Sequence, residues 1–381
     1  VAKQTIFGGA GIDDIDAAST SDQKIDAGAG NDDVLTGSGK DTIEGGEGKD
    51  TLAGADGANS IYGGAGADTI TEGTGNSTVS GGAGKDTITA GTGNDVIFGG
   101  KDDDLIKFQV LGNNAGSLDS NDAVSGDLGT DTIEFDAAFQ AITDVQFSGV
   151  TGVEKLLFDG VATAGTLEIG AKAGAAGIVD VSIADATADV DVTINGANNA
   201  NNVTYTGSKD GDTDMTVTGG SGSDVFNTGA GANDTDMTGG AGTNTFNIKS
   251  TGTHTIKDLK GSDVITTTAG VNSLITTVTA DYTTTAATIN RSTGVDNVKL
   301  TSNAAKVDID MSLATSTVTG FWLLGNNGGA EKLIGSTQAD SIDGSGGNDT
   351  LSGGAGADTV YGGAGADSIV AGEGADSVAA A

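Results

Sequence analysis

The chain has no cysteine and a single histidine, His254, among its 381 residues. Without cysteine it can form neither disulfide bonds nor thiolate metal sites. With one histidine it cannot build a histidine-rich transition-metal site or the HExxH site of a metalloprotease. We interpret His254, in THTIKDL, as a strand or surface residue. The sequence therefore offers no recognisable catalytic set.

Basic residues are also scarce, with 17 Lys and Arg against 53 Asp and Glu and a formal net charge of −36. Phosphate backbones are bound by basic patches, so nucleic acid is excluded as a partner. No apolar run approaches the roughly 18 residues that a membrane span requires, so we expect no membrane span. Self-repulsion at this charge opposes compaction, and a folded state is expected to require bound cations.

Glycine and aspartate dominate what is present. The chain has 66 Gly, no Pro and only 4% aromatic residues, whereas glycine makes up roughly 7% of an average protein. Of the acidic residues, 45 are Asp and 8 are Glu. A short carboxylate beside a tight turn is what a cation site assisted by backbone carbonyls requires. The Asp bias therefore favours metal sites over a merely solvated acidic surface.

Two blocks, 27–107 and 335–379, repeat every nine residues without a gap. Typical copies are GGAGADTIT, GGAGKDTIT and GGAGADTVY. Position 8 is aliphatic in all fourteen copies, and position 6 is Asp in twelve, with Asn59 and Ser77 as the exceptions. A surface that was only charged and solvated would not require Asp and aliphatic residues at a fixed nine-residue spacing. The repeat therefore predicts a stacked solenoid.

Each position of the repeat has a physical role. Glycine at positions 1, 2 and 4 permits positive φ and hence a tight turn over the first six residues. Positions 7 to 9 then form a short strand in which only position 8 points inward. The predicted core is the ladder Val34, Ile43, Leu52, Ile61, Ile70, Val79, Ile88, Ile97 and Ile106.

These copies closely resemble GGxGxDxUx, the nonapeptide of the RTX family. The resemblance implies an all-β fold, a right-handed parallel β-roll or β-solenoid in which two repeats make one coil. It also implies several Ca²⁺ ions, each lying between turns stacked on the same side and held by position-6 Asp and turn carbonyls. The phrases TGVEKLLF and TGVDNVKL, at 151–158 and 293–300, resemble turn-and-strand elements found around the repeats of RTX-type surface-layer proteins and adhesins, and the chain as a whole is most like RTX-type bacterial surface-layer proteins.

On this resemblance, the position-6 residues form columns. One column holds Asp32, Asp50, Asp68, Asp86 and Asp104, and the other holds Asp41, Asn59, Ser77 and Asp95. In the carboxy-terminal block, the columns are Asp340, Asp358 and Asp376, and Asp349 and Asp367. Further predicted ligands are Asp13, in GGAGIDDID, and Asp224, in GGSGSDVFN.

Three positions are expected to depart from this pattern. Calcium should be weak or missing around Ser77, because a neutral hydroxyl replaces the carboxylate there. Residues 17–26 are one longer than a repeat and carry Gln23, which predicts a bulge and no ion. Asn244, in GGAGTNTFN, would ligate only through its amide oxygen.

The chain is predicted to have three parts. Calcium-binding β-rolls over 1–107 and 335–381 flank a Thr-rich region, 108–334, with degenerate repeats near 219–247. We expect this region to be a β-solenoid or one or two small β domains. The longest helix is predicted over 136–145, in DAAFQAITDV.

The first functional hypothesis is a secreted, non-enzymatic protein of the bacterial cell surface. It would fold in millimolar extracellular calcium, with dissociation constants of roughly 10⁻⁴–10⁻³ M, after type I secretion as an unfolded chain. It would then self-associate into a surface layer, matrix or filament, with cell-surface polysaccharide as a further partner. The alternatives are an RTX adhesin or a ligand-binding or ice-binding module, and the calcium-folding export domain of a secreted hydrolase.

Overall fold

The computed structural model describes residues 4–109, 118–136, 141–161, 164–184, 191–208, 214–229, 234–249, 252–261, 263–267, 273–283, 289–291, 298–302, 308–316 and 320–380. Contacts divide the chain into two compact units, Val1–Ala188 and Asp189–Ala381. Each is built almost entirely from short parallel strands that pair from coil to coil. The prediction of an all-β parallel solenoid is confirmed.

The first unit contains two stacked ladders of strands. Its elements are β1 (Gln4–Ala10), β2 (Asp14–Ala17), β3 (Gln23–Ala29), β4 (Asp33–Thr36), β5 (Thr42–Glu47), β6 (Thr51–Ala55), β7 (Ser60–Ala65), β8 (Thr69–Glu72), β9 (Thr78–Ala83), β10 (Thr87–Ala90), β11 (Val96–Lys101), β12 (Leu105–Gln109), β13 (Ala123–Leu128), β14 (Thr132–Asp136), a 3₁₀ helix (Asp144–Gly149), β15 (Val150–Thr151), β16 (Lys155–Asp159), β17 (Gly165–Glu168), α1 (Ala171–Ala176) and β18 (Asp180–Ile183). The odd-numbered strands from β1 to β15 pair in order, and so do the even-numbered strands from β2 to β18.

The second unit has the same kind of architecture, and its strands range from two to eleven residues. Its strands are β19 (Val192–Asn195), β20 (Thr204–Thr206), β21 (Met215–Thr218), β22 (Val225–Asn227), β23 (Thr235–Thr238), β24 (Thr245–Ile248), β25 (Thr253–Gly261), β26 (Val264–Thr267), β27 (Ser273–Thr283), β28 (Ile289–Arg291), β29 (Val298–Ser302), β30 (Ile309–Asp310), β31 (Thr315–Ser316), β32 (Trp322–Leu324), β33 (Lys332–Ile334), β34 (Ser341–Asp343), β35 (Thr350–Ala355), β36 (Thr359–Tyr361), β37 (Ser368–Glu373) and β38 (Ser377–Ala379). One ladder runs from β20 to β31 and another from β19 to β38, while β30, β33, β35 and β37 form a branch beside the latter.

Strand register sets the length of a coil. Ile43 pairs with Ile61, and Leu52 pairs with Ile70, so each coil of the amino-terminal repeats has eighteen residues. All nine side chains of the predicted core ladder are at most 2% exposed. The core position of the repeat and its two-repeat coil are therefore confirmed.

The strands of one ladder are longer than the three residues that the repeat predicts. Strand β5 continues through Gly45 and Gly46 into the next repeat. Gly46 has a φ of 113° and pairs with Gly28 of the preceding coil. A Cβ at Gly46 would overlap the Gly28 carbonyl oxygen, so position 2 requires glycine for both its backbone conformation and its close packing.

The predicted helix over 136–145 is wrong within the described residues, and 137–140 lie outside them. Asp136 belongs to β14, and Thr143 has extended backbone before the 3₁₀ helix begins. The Asp144 carboxylate then accepts hydrogen bonds from the backbone N–H groups of Lys172 and Ala173 at the start of α1. In the described part of the chain, no helix combines the length and apolar character needed to span a membrane.

Candidate metal sites

One side of the first unit carries an unbroken column of carboxylates, which we name the first edge. The Asp32 N–H donates to Oδ1 of Asp50 over 2.8 Å, and the Asp50 N–H donates to Oδ1 of Asp68 over 2.9 Å. The same bond links the members of the first edge, Asp13, Asp32, Asp50, Asp68, Asp86, Asp104, Asp131 and Glu154. The structure thus brings the predicted column together and extends it beyond the repeats.

The second oxygen of these carboxylates is in a different situation. Oδ2 is buried and has no hydrogen-bond partner in Asp13, Asp32, Asp50, Asp68, Asp86, Asp104 and Asp131. A buried, unpaired carboxylate oxygen is unfavourable unless a cation or a proton neutralises it. Each coil of the first edge therefore presents one oxygen whose bonding capacity the protein does not use.

A turn carbonyl of the next coil borders the same space. A Cβ built on Gly45 would lie 2.6 Å from Oδ2 of Asp50 and 2.5 Å from the carbonyl oxygen of Gly63. The same pair of oxygens surrounds Gly63, where the distances are 2.5 Å to Asp68 Oδ2 and 2.5 Å to the Gly81 carbonyl oxygen. The missing side chain at position 1 thus leaves a space bordered by oxygen ligands from two successive coils.

Burial and mutual repulsion act on the protonation of these carboxyls in the metal-free protein. Burial raises the pKa of Asp68 to about 6, and Asp50 adds repulsion. Burial raises the pKa of Asp86 and of Asp104 to about 7, with added repulsion from Asp68 on Asp86 and from Asp86 on Asp104. The backbone N–H donated to each carboxylate opposes the rise but does not cancel it. A divalent cation would relieve the cost of keeping them ionised.

The opposite side of the first unit, the second edge, has a mixed composition. Its members are Gln23, Asp41, Asn59, Ser77, Asp95 and Asp122. Asp41 resembles the first edge, with Oδ1 bonded by the Gln23 N–H and Oδ2 buried without a partner. Asn59 differs, because its Oδ1 accepts the Asp41 N–H and its Nδ2 donates to the Gly54 carbonyl oxygen over 2.8 Å.

Ser77 sits beside an acidic residue that the repeat does not contain. Glu72 occupies position 1 of this copy, and its Oε2 accepts a hydrogen bond of 2.7 Å from the Ser77 hydroxyl. Burial raises the pKa of Glu72 to about 7, while the hydrogen bonds from Ser77 and Asn59 oppose the rise. The structure thus places a carboxylate next to Ser77, although position 6 has lost its own.

The second unit repeats both kinds of arrangement. Asp340 and Asp349 donate their backbone N–H groups to Oδ1 of Asp358 and Asp367, and the column of Asp340 and Asp358 ends at Asp376. Oδ2 of Asp349 and of Asp358 is buried without a partner. Asp224 and Asp340 instead have both carboxylate oxygens bonded by the protein, Asp224 by the Val203 and Gly220 N–H groups and Asp340 by the Phe321 and Ser336 N–H groups.

Several members of these columns escape sequence reasoning. They are Asp122, Asp131, Glu154, Asp263 and Glu331. The segment from Gly129 to Ile133 reads GTDTI and keeps the second half of the repeat, so it could have revealed Asp131. Glu154 and Glu331 replace the aspartate by a longer side chain and leave no such signal.

The donor set fits a hard divalent cation. The oxygen atoms named above that have no hydrogen-bond partner all belong to carboxylates, and turn carbonyls lie beside them. Carboxylate and carbonyl oxygens are the ligands that Ca²⁺ prefers. Among the described residues, no group of three or more His, Cys, Asp or Glu side chains is placed to hold a metal by itself. Backbone carbonyls must therefore complete any site, and a bound ion would join two coils and neutralise their charge.

Comparison with known families agrees with this chemistry. The model of the RTX calcium-binding nonapeptide repeat, which spans four copies, matches residues 35–70, 44–79, 71–106, 216–234, 326–360 and 343–378. No curated protein matches the chain. The matched segments contain the stacked turns and carboxylate columns described above. The chain therefore carries RTX calcium-binding nonapeptide repeats, and these repeats bind several Ca²⁺ ions.

Proposed function

We propose that this chain is a secreted structural protein that calcium folds outside the cell and that self-associates into a surface layer, matrix or filament. The predicted ligands are Asp13, Asp32, Asp41, Asp50, Asp68, Asp86, Asp95, Asp104, Asp224, Asp340, Asp349, Asp358, Asp367 and Asp376. Asn59, the remaining predicted ligand, is considered separately below. Cell-surface polysaccharide is a further partner in this proposal.

The observation that carries the proposal is the imbalance of charge along the columns. The chain has 36 more acidic than basic residues, and the ion pairs of the described residues include exposed ones such as Lys85 with Asp103. Surface pairs of this kind stabilise a fold by at most about 1 kcal/mol. Calcium, at the millimolar concentrations found outside cells, is the cation able to neutralise the columns. Export of an unfolded chain before calcium binds is consistent with this chemistry.

Non-catalytic assembly is supported by where the acidic side chains lie. The carboxylates that a hydrolase would need are part of the hydrogen-bonded columns, where their Oδ1 atoms are already used by the backbone. Their regular stacking builds a long, repetitive surface instead of one cleft. Such surfaces suit repeated lateral contacts between copies.

The decisive experiment combines circular dichroism and electron microscopy of the purified chain in calcium and then in chelator. We expect a β-sheet spectrum and ordered assemblies in calcium, and after chelation we expect loss of the assemblies and a less stable β-sheet fold that unfolds at a lower temperature. Assemblies that persist unchanged in chelator would contradict a calcium-dependent assembly. A chain that folds in calcium and stays monomeric at high concentration would contradict self-association while leaving calcium-dependent folding intact.

A ligand-binding or ice-binding module is the second candidate, and one outer surface favours it. Thr69 and Thr71 on β8 pair with Thr87 and Thr89 on β10, and Thr51 continues one of the two rows. This threonine patch is short, because Leu105 and Lys107 follow Thr87 and Thr89 in register on β12. Replacing Thr71 and Thr89 by Val should reduce ligand or ice binding if this candidate is correct, and should leave assembly unchanged if the first proposal is correct.

A further inference from the structure

We infer that one segment of the second edge binds no calcium. There, side-chain hydrogen bonds of Thr36, Asn59, Glu72 and Ser77 take the place of bound ions. The four side chains are buried, with exposures of 1%, 3%, 8% and 2%. They come from three successive coils and meet around the turn carbonyl of Gly54. We name this group the polar plug.

Asn59 presents a donor where the first edge presents an acceptor. Its Oδ1 accepts the backbone N–H of Asp41 over 2.9 Å, as an aspartate would. The amide group therefore cannot turn over without losing that bond, and its Nδ2 must face the turn. There it donates to the carbonyl oxygen of Gly54 over 2.8 Å. An N–H donor in this position repels a cation, so Asn59 occupies the ion's place instead of binding the ion.

Thr36 and Glu72 fill space that is open in the first edge. Position 1 is glycine in most coils of the first edge, including Gly45, Gly63 and Gly81. In the second edge it is Thr36, Gly54, Glu72 and Ala90. The Thr36 hydroxyl donates to the same Gly54 carbonyl oxygen over 3.0 Å. The turn carbonyl that would serve as a ligand thus already accepts two hydrogen bonds.

Glu72 supplies the charge that Ser77 lacks, but in a different bonding arrangement. Its Oε2 accepts the Ser77 hydroxyl, and its Oε1 lies beside Gly54 and near the Nδ2 of Asn59. Ser77 Oγ also accepts the Asn59 N–H over 3.1 Å, which keeps the backbone ladder continuous. Oε1 of Glu72 is buried beside the Asn59 amide, and this atom is the one that could bind an ion if the inference is wrong.

Two other amide side chains at the same position show the same orientation. Gln23 also donates its amide Nε2 to a turn carbonyl, that of Ala17, over 2.6 Å. In the second unit, Asn244 uses its Oδ1 to accept the Asp224 N–H, and its Nδ2 faces the turn. The amide oxygen through which Asn244 was expected to ligate is therefore occupied. In all three amides the nitrogen faces the turn, but Oε1 of Gln23, unlike the oxygens of Asn59 and Asn244, is buried without a hydrogen-bond partner.

The test measures calcium ions per chain by native mass spectrometry, with isothermal titration calorimetry for affinity. The first variant restores the repeat through Asn59→Asp, Glu72→Gly and Ser77→Asp together. The second is Asn59→Asp alone, a smaller change in case the triple variant does not fold. The third is Glu72→Gln, which keeps the shape of the side chain and removes its charge. Asp68→Asn, in the first edge, is the matched control.

We expect the triple variant, and Asn59→Asp alone, to bind at least one more ion than the unmodified chain. Glu72→Gln should leave the number of ions unchanged, while Asp68→Asn should bind fewer. Loss of an ion in Glu72→Gln would overturn the inference, because it would make Glu72 a calcium ligand. An unchanged number of ions in both the triple variant and Asn59→Asp would also overturn it.

Discussion

The backbone N–H of Asp68 donates a hydrogen bond of 2.8 Å to Oδ1 of Asp86, while Oδ2 of the same carboxylate is buried without a partner. The carboxylates of Asp32, Asp50, Asp68, Asp86, Asp104 and Asp131 thus have two roles. One oxygen holds successive coils together through the backbone, and the other is available to an ion. Removing the ion and removing the carboxylate should therefore have different consequences.

Asp86→Asn should change stability in opposite directions with and without calcium. In calcium the variant loses a bound ion. At a free calcium concentration of about ten times the dissociation constant, this loss lowers the free energy of unfolding by about 1.4 kcal/mol. In chelator it removes an unpaired buried charge and adds an N–H donor for a turn carbonyl, so the free energy of unfolding should rise by about 1 kcal/mol. Urea unfolding in both conditions measures this.

Asp103→Asn is the matched control for Asp86→Asn. Asp103 is exposed, accepts the Thr130 N–H and pairs with Lys85. An amide oxygen can still accept that N–H, and a surface ion pair contributes at most about 1 kcal/mol. The substitution should have a small effect of the same sign in calcium and in chelator. A change of sign at Asp103 would mean that general surface charge, and not the column, controls stability.

The metal-free chain should become less stable as pH rises. Burial raises the pKa of Asp68 to about 6 and that of Asp86 and Asp104 to about 7, from an ordinary value of 3.8. The folded state therefore binds more protons than the unfolded state, and this stabilisation is complete below pH 3.8 and is lost as pH rises through 6 to 7. Thermal unfolding in chelator between about pH 5 and pH 8 should show a falling midpoint.

Saturating calcium should remove or reverse that pH dependence. Bound ions favour the ionised carboxylates, so protons then compete with calcium instead of stabilising the fold. A midpoint that rises with pH in chelator would show that these carboxyls are not the groups that control stability of the metal-free state.

Gly46→Ala should destabilise the fold equally with and without calcium. Gly46 has a φ of 113°, and a Cβ there would meet the Gly28 carbonyl oxygen. Strain of this kind costs about 1–3 kcal/mol, and it acts on the strand ladder and not on the ion. Urea unfolding measures the loss, with Glu47→Ala, at the exposed next position, as a control expected to stay within about 0.5 kcal/mol. A loss confined to calcium would instead assign Gly46 a direct role in binding.

Ile70→Ala should show how much the thin core contributes. Ile70 is fully buried and pairs with Leu52 and Ile88 in the neighbouring coils. Truncating a buried Ile costs about 2–5 kcal/mol. The loss should appear in calcium-saturated protein by urea unfolding, whereas Thr71→Ala, on the outer face of the same strand, should have little effect. Equal effects of the two would contradict the inward direction of position 8.

The sequence predicted the structure best at positions where a residue type has a single structural role, such as an aliphatic side chain that must be buried. Aliphatic position 8 predicted Ile43 and Ile61 in the core, and the resemblance to the RTX nonapeptide implied their eighteen-residue register. It was least informative where geometry depends on a neighbour. The direction of the Asn59 amide is set by the Asp41 N–H, and the extension of β5 is set by pairing with the preceding coil. Neither relationship exists within a single repeat.

The columns outside the repeats illustrate the same limit. Asp131 follows the first edge although position 2 of its copy is Asp127 instead of glycine, and Glu154 follows although it is not an aspartate. Strand pairing between β12, β14 and β16 carries the column onward, so a carboxylate of either length can be placed there. A search for exact nine-letter copies misses Asp131, which a looser search could find, and it cannot find Glu154, whose place is defined by stacking.

The hydrogen bond from Asp104 to Asp131 spans 27 residues, while that from Asp86 to Asp104 spans 18, yet both measure 2.8 Å. The hydrogen bonds of the column therefore join successive coils, whatever the number of residues in each coil. Nine more residues enter one coil without disturbing the coils above and below it. In evolution, the length of one coil can therefore change without a change in the others. In protein engineering, a foreign peptide can be inserted between β12 and β13.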